Sequence, residues 1–342
     1  MTISDTSRNA AIALFSITLL TLRVEAQVDQ EDIGAARQAF VERVVSRHGF
    51  DQDEIASLLE SASIDSRVLE AISRPAERVA PWYEYRNIFL TASRIDAGVQ
   101  FWQDHVATIN ATVDRHGVQP ELLIAIIGVE SLFGQHMGRY RVLDSLSTLA
   151  FAYPPRSAFF GSELESFLLL GREEGSDVLE ALGSYAGAMG AGQFIPSSYR
   201  AYAIDANGDG RRDLWGDWED ILASVANYFD AHGWRMSEPV AEQATRTSKF
   251  SGAEPQNGLD LNDTVGSLTE MGYVFATDLP LTARATVLSM EQDADSSEYW
   301  VGFHNFRVIT RYNRSVKYAL AAYQLSVAIR DAYNAALGAT AQ

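Results

Sequence analysis

The chain of 342 residues contains no cysteine. Disulfides, thiolate zinc sites and a cysteine carrying a lipid anchor are therefore excluded. Positive charge is also scarce, because 27 Lys and Arg face 45 Asp and Glu, a formal balance of -18. No large positive field can compensate phosphate, which argues against sequence-independent nucleic-acid binding and leaves only local basic grooves open. Long apolar runs are missing too: the stretch from Ala10 to Leu22 falls short of the ~20 residues that a membrane-spanning helix needs. Nor do Gly134, Gly138 and Gly161 make a phosphate loop, and no serine sits in a nucleophile elbow. His105, His116, His136, His232 and His304 lack metal-ligand spacing.

What is present begins at the amino end. Arg8 in a short polar start, the apolar run, and Val24-Glu25-Ala26 before Gln27 follow the order of a secretory signal cleaved near Ala26. The remaining residues, 27–342, suffice for one large core or two to three modules. After processing the chain is expected to be soluble.

Apolar residues recur at helical spacing between residues 32 and 80, as in Ile33, Phe40 and Val44, with breaks at Gly49 and Arg74-Pro75. One helix is expected over residues 92–115, and another from Pro120, where Glu121 suits the positive helix end. Residues 145–153, 161–172, 221–231 and 315–335 are further helix candidates, and 205–220 is a polar loop. After Trp234 the period changes, so turns and short strands are expected around residues 238–244, 266–275 and 282–290, with 299–311 irregular.

Glu130 ends the apolar run that starts at Leu122 and lies just off the arc of Leu122, Ile126, Val129 and Phe133. That places it at the edge of a groove. Desolvation disfavours a carboxylate anion, so Glu130 is expected to keep a proton near neutral pH, as a general acid for glycosidic cleavage must.

Four ordered blocks carry a resemblance: Gly128-Val-Glu130-Ser-Leu-Phe-Gly134; Gly183 to Phe194 with Pro196-Ser-Ser-Tyr199; Ser224 to Phe229 with His232-Gly-Trp234; and Asn305-Phe306 with Ile309-Thr-Arg-Tyr-Asn313. With Arg74-Pro75, Glu77, Trp82 and Tyr85, they resemble the membrane-bound lytic transglycosylase B family of peptidoglycan-cleaving enzymes across residues 40–329. The resemblance implies a mainly α (α+β) fold: a lysozyme-like helical core, an additional helical domain and a small β-containing domain. The modules would be residues 27–115, the core 116–235, the β-containing part 236–311 and a closing helix 312–336. It further implies cleavage of the β-1,4 bond between N-acetylmuramic acid and N-acetylglucosamine, leaving 1,6-anhydromuramic acid ends, with Glu130 as the single acid and base.

Ser184, Gln193, Tyr228, Tyr312, Asn313 and Tyr318 match residues of the family's groove. Ser184 would bond Glu130 or an N-acetyl group, Gln193 and Asn313 the sugar amides, and the tyrosines would stack on sugars or orient polar groups. Met189 is expected to be packing. Glu163 and Glu165, at an expected helix start, are read as caps or solvated charges and not as a second catalyst. The resemblance implies a periplasmic monomer with peptidoglycan glycan strands as partner and no organic cofactor, and leaves open a partner in cell-wall synthesis or division.

Residues 205–220 form an EF-hand-like loop. Asp205, Asn207 and Asp209 supply side-chain oxygens at positions one, three and five, Gly210 the turn, and Arg211 a backbone carbonyl. Position twelve is Gly216, so the closing carboxylate is matched by the family's following helix to Asp220, with Asp217 and Glu219 as alternatives. Structural calcium, or sodium, is expected. Two other functions stay open: a peptidoglycan-binding scaffold, which Glu130 disfavours, and a hydrolytic muramidase, which the lack of a second carboxylate disfavours.

Overall fold

The computed structural model describes residues 30–73 and 80–340. The expected signal, its cleavage site, Arg74-Pro75 and Glu77 lie outside the described residues.

The helix Pro120–Ser131 is the centre of the molecule. Proline sits in its first turn, where no N–H is needed, and every residue from Leu122 to Gly128 is buried. A helix apolar on all sides must be enclosed by others. Its neighbours are Ala92–Asp104, Val106–His116, Trp218–Ala231 and the long helix Val316–Thr340, which also packs on Trp82–Phe89 and His304–Tyr312. Close approach depends on two glycines. A Cβ on Gly98 would stand 2.6 Å from Cδ1 of Ile329, and one on Gly128 would stand 2.7 Å from the Phe133 ring.

A second helical layer pairs Val142–Ala152 with Ser157–Glu174, on which Pro196–Tyr202 lies; the amino-terminal helix Gln30–His48 contacts the first of these. The short strands β1 (Tyr140–Arg141) and β2 (Leu182–Gly183) pair antiparallel beside this layer. One hydrophobic core runs continuously from Ile33 to Ile329 through both layers.

The segment after Trp234 forms a five-stranded antiparallel sheet in the order β4-β6-β7-β3-β5. Its strands are β3 (Ala241–Arg246), β4 (Asp263–Thr264), β5 (Tyr273–Val274), β6 (Arg284–Glu291) and β7 (Ser297–Gly302). Ala241 and Thr286 both face Gly302, which sets the register of the three longest strands. Val265, Leu268, Tyr273 and Phe303 form a separate small core here. Trp82 joins this sheet to the helices: its backbone N–H donates to Glu291 Oε2 at 3.1 Å and its indole to Glu298 Oε1 at 2.8 Å.

Three expectations are corrected. Residues 92–115 are not one helix; the backbone turns at His105, with φ -120° and ψ 20°, where its ring packs between Phe101 and Trp218. Residues 299–311 are regular: β7 ends there and the helix His304–Tyr312 follows, because tertiary burial of Phe306, Val308 and Ile309 supplies a helical face. Glu163 and Glu165 are neither at a helix start nor solvated; they lie inside Ser157–Glu174, 5% and 9% exposed.

Candidate active site

The helix Pro120–Ser131 ends in a tight left-handed turn that fixes Glu130. Leu132, Phe133 and Gly134 have φ of 50°, 57° and 82°. The Ser131 hydroxyl accepts the Gly134 N–H at 3.0 Å, and the Trp218 ring covers Gly134. Ser131 is buried while Glu130 remains partly exposed in the last helical turn.

The Tyr318 hydroxyl donates to Glu130 Oε1 at 2.5 Å. Burial, followed by the Glu130 charge, pushes the Tyr318 hydroxyl well above its ordinary pKa, so it stays a phenol and a donor. Tyr312 is shifted upward for the same two reasons; it donates to the Gly192 carbonyl at 2.5 Å and stacks on Phe229 at 5.5 Å. Tyr228, 8% exposed, donates to the Arg311 carbonyl at 2.6 Å. Burial raises its pKa to about 12. Its ring stacks on His232 and meets Tyr312 edge-on, so Tyr228 acts as a brace more than as an open stacking platform.

The segment between Gly183 and Phe194 meets this cluster at Gly192, whose carbonyl accepts the Tyr312 hydroxyl. Gln193 has φ 51° and donates its amide to the Met137 and Gly190 carbonyls at 3.1 and 2.8 Å, which leaves Oε1 as its acceptor. The Ser184 oxygen accepts the N–H groups of Ala186 and Ala188, which leaves its single proton to donate. Asn313 follows Tyr312 in extended backbone and is half-buried. Met189 is fully buried. Tyr318 thus meets Glu130, Tyr312 meets Tyr228, and the Tyr312 hydroxyl reaches the carbonyl of Gly192, the residue before Gln193.

The other two acids have structural partners. Glu163 accepts the backbone N–H and hydroxyl of Ser197 at 2.9 and 2.8 Å, capping the neighbouring helix Pro196–Tyr202. Glu165 is held by Arg43, Arg47 and His48.

In the acidic loop, Asp205 accepts the N–H groups of Gly208, Asp209 and Gly210. Asn207 donates to Asp217, and the Arg211 side chain pairs with Asp177. Asp220 is fully buried and binds the N–H groups of Ala206 and Asp213, at the two ends of the loop, at 2.7 and 2.8 Å. Its pKa is raised by burial. Among the described residues no group of three or more Asp, Glu, His or Cys is drawn together around a metal position. The side-chain oxygens of Asp205, Asn207, Asp209 and the buried Asp220 are hard donors of the kind a calcium ion takes.

A carboxyl at the end of a buried helix, held by a phenol, is the kind of group that acid-catalysed glycosidic cleavage employs. The model for the transglycosylase SLT domain matches residues 33–327, and the chain belongs to that family. The membrane-bound lytic murein transglycosylase B of Escherichia coli K12 is 40% identical over 303 residues, covering 85% of this chain and 82% of that protein. The soluble lytic transglycosylase SltB1 from Pseudomonas aeruginosa superposes with TM-score 0.82 at 44% identity, over 87% of this chain and 99% of that one. Escherichia coli Slt35, solved in complex with calcium, gives TM-score 0.78 at 39% identity, over 87% and 93%. The chain is a peptidoglycan-cleaving lytic transglycosylase with the lysozyme-like fold.

Sequence reasoning missed the left-handed turn after Glu130 and the Phe133 ring between Gly98 and Gly128. The signal was present: two glycines inside helical segments mark close approach. It also missed the Gly192 and Arg311 carbonyls as tyrosine anchors, because backbone acceptors carry no side-chain signature.

Proposed function

We propose that Glu130 alone performs both proton transfers in cleaving the β-1,4 bond between N-acetylmuramic acid and N-acetylglucosamine. As acid it protonates the departing glycosidic oxygen while the bond to C1 breaks. As base it then takes the proton of the muramoyl 6-hydroxyl as that oxygen bonds to C1, giving the 1,6-anhydro end and returning Glu130 to its starting state. An internal hydroxyl reaches an effective concentration that water does not match, so no second carboxylate is needed to activate water. The observation that carries this reading is the Tyr318 hydrogen bond to Oε1, which fixes the carboxyl at the end of its helix. Gln193 Oε1, the Ser184 hydroxyl and the Asn313 amide are suited to hold the N-acetyl groups.

The acidic loop would hold calcium through Asp205, Asn207, Asp209, the Arg211 carbonyl and Asp220, with sodium as the weaker competitor. The cation neutralises buried negative charge and supplies no glycosidic chemistry. Its support is the spacing of the carboxylate and amide oxygens, the buried Asp220 and the calcium complex of the Slt35 relative. No helix among the described residues is long and apolar enough to cross a membrane. The site of action is the periplasm, reached after cleavage near Ala26.

Mass spectrometry of purified peptidoglycan digested by the enzyme tests the chemistry. Fragments lighter by one water than hydrolysis products, and missing from a Glu130→Gln digest, are expected. Hydrated reducing ends would instead make the enzyme a muramidase, and pelleting with the wall without any fragments would make it a scaffold.

A further inference from the structure

We propose that Arg307, Arg311 and Arg314 form a carboxylate-binding rim that reads the stem peptide carried by the muramoyl residue. The inference rests on the peptidoglycan-cleaving activity and adds a specificity device to it. Arg307 and Arg311 are four residues apart on one side of the helix His304–Tyr312, and Arg314 follows in the bend after it. The opposite side, with Phe306 and Ile309, is buried. Together with Leu259, Asp260 and Thr310 they line a hollow of about 150 Å³. Three guanidinium groups around one carboxylate reverse locally the balance of a chain whose formal charge is -18.

Asp260 engages only one of them. Its contact with Arg307 is 3.4 Å long, with side-chain exposures of 74% and 46%, so solvent screens it heavily. A ligand carboxylate can replace it and gain the bidentate geometry that guanidinium offers. The hollow adjoins the groove through the backbone: the Arg311 carbonyl holds the Tyr228 hydroxyl, and Tyr312 and Asn313 lie between Arg311 and Arg314. A stem peptide hangs from the muramoyl lactyl group and carries free carboxylates. Each of its residues adds at most ~3.6 Å of reach.

The test compares kcat/KM on peptide-bearing glycan strands with kcat/KM on strands stripped of peptides by an amidase. The parent enzyme is expected to prefer peptide-bearing strands. Arg307→Gln with Arg314→Gln should reduce that preference roughly tenfold, the worth of a charged hydrogen bond partly screened by solvent. Lysine at both positions should restore part of it, and Asp260→Asn, an exposed change that removes the competing carboxylate, should move it the other way. No preference in the parent, or a preference unmoved by all three variants, overturns the rim. Cleavage of stripped strands under those outcomes leaves the glycosidic chemistry standing, whereas failure of the parent on both substrates removes that reading as well.

Discussion

At the residue scale the site is a carboxyl positioned by a phenol. Replacing Glu130 with Gln keeps the side-chain volume and removes the transferable proton. Turnover should fall by about 10²–10⁴, the usual contribution of general acid–base catalysis, while the melting temperature stays near that of the parent. A folded variant that still releases anhydro fragments at the parental rate would remove Glu130 from the mechanism. Tyr318→Phe should lower kcat roughly tenfold, as expected for a lost hydrogen bond to a charged group, and change KM little. Because burial and the Glu130 charge hold the Tyr318 hydroxyl well above its ordinary range, the kcat profile of the parent should lack an alkaline inflection from this group below about pH 10. An inflection present in the parent and absent from the phenylalanine variant would contradict that state. Glu130 and Tyr318 were legible individually in the sequence motifs. Their pairing was not, since 188 positions separate them.

At the element scale the geometry depends on how tightly helices approach. Ala at Gly128 would favour the helix by up to ~1 kcal/mol in isolation, yet its Cβ would meet the Phe133 ring at 2.7 Å. Overpacking of that kind costs about 1–3 kcal/mol, so Gly128→Ala should lower stability in urea unfolding and, by moving Phe133, lower kcat as well. Stability at or above the parent's would show that the ring yields freely. Glu165 offers a pH-resolved test. Burial by itself would raise its pKa, but hydrogen bonds from His48 and Arg47 and the charges of Arg47 and Arg43 bring it below the ordinary 4.5. A lowered acid stabilises the fold fully above the unfolded pKa and loses that contribution as pH falls through the folded value. Glu165→Gln should therefore cost about 1–2 kcal/mol at pH 7, discounted because Arg43 and Arg47 are 43% and 61% exposed. The cost should shrink toward zero below pH 4, and a constant difference across that range would assign the effect to packing. Helix existence was legible from apolar spacing over most of the chain. The break at His105 was not, because a ring cluster with Trp218, more than a hundred residues away, decides it.

At the scale of the whole molecule the acidic loop is tied to the helix that carries Tyr228, since Asp220 in the first turn of that helix accepts the N–H groups of Ala206 and Asp213. Calcium at a hundredfold excess over its dissociation constant adds about 2.7 kcal/mol by mass action, a shift of several degrees in melting temperature. Asp205→Asn with Asp209→Asn should remove that shift, read as the difference between calcium and chelator in a thermal melt, and leave cleavage at permissive temperature within a small factor. A parent that melts at the same temperature in both buffers does not bind calcium at this loop. Trp82, tied by both of its N–H groups to Glu291 and Glu298, joins the helices to the sheet, and its isolated motif gave no hint of that distance.

By itself the sequence determined the chemical inventory: no thiol, one carboxyl at the end of an apolar helix, a calcium-like spacing, and ordered motifs sufficient for the family and its lysozyme-like core. These are properties of composition and of neighbours along the chain, which periodicity and spacing record directly. Tertiary structure decided which groups meet. It brought the Tyr318 hydroxyl to Glu130, turned Tyr228 into a brace, buried Glu163 and Glu165 as structural partners, and set Arg307 and Arg314 in one hollow with Asp260. The physical reason is that burial and hydrogen bonding between distant segments depend on the packing of the whole core, and no local window of sequence contains both partners.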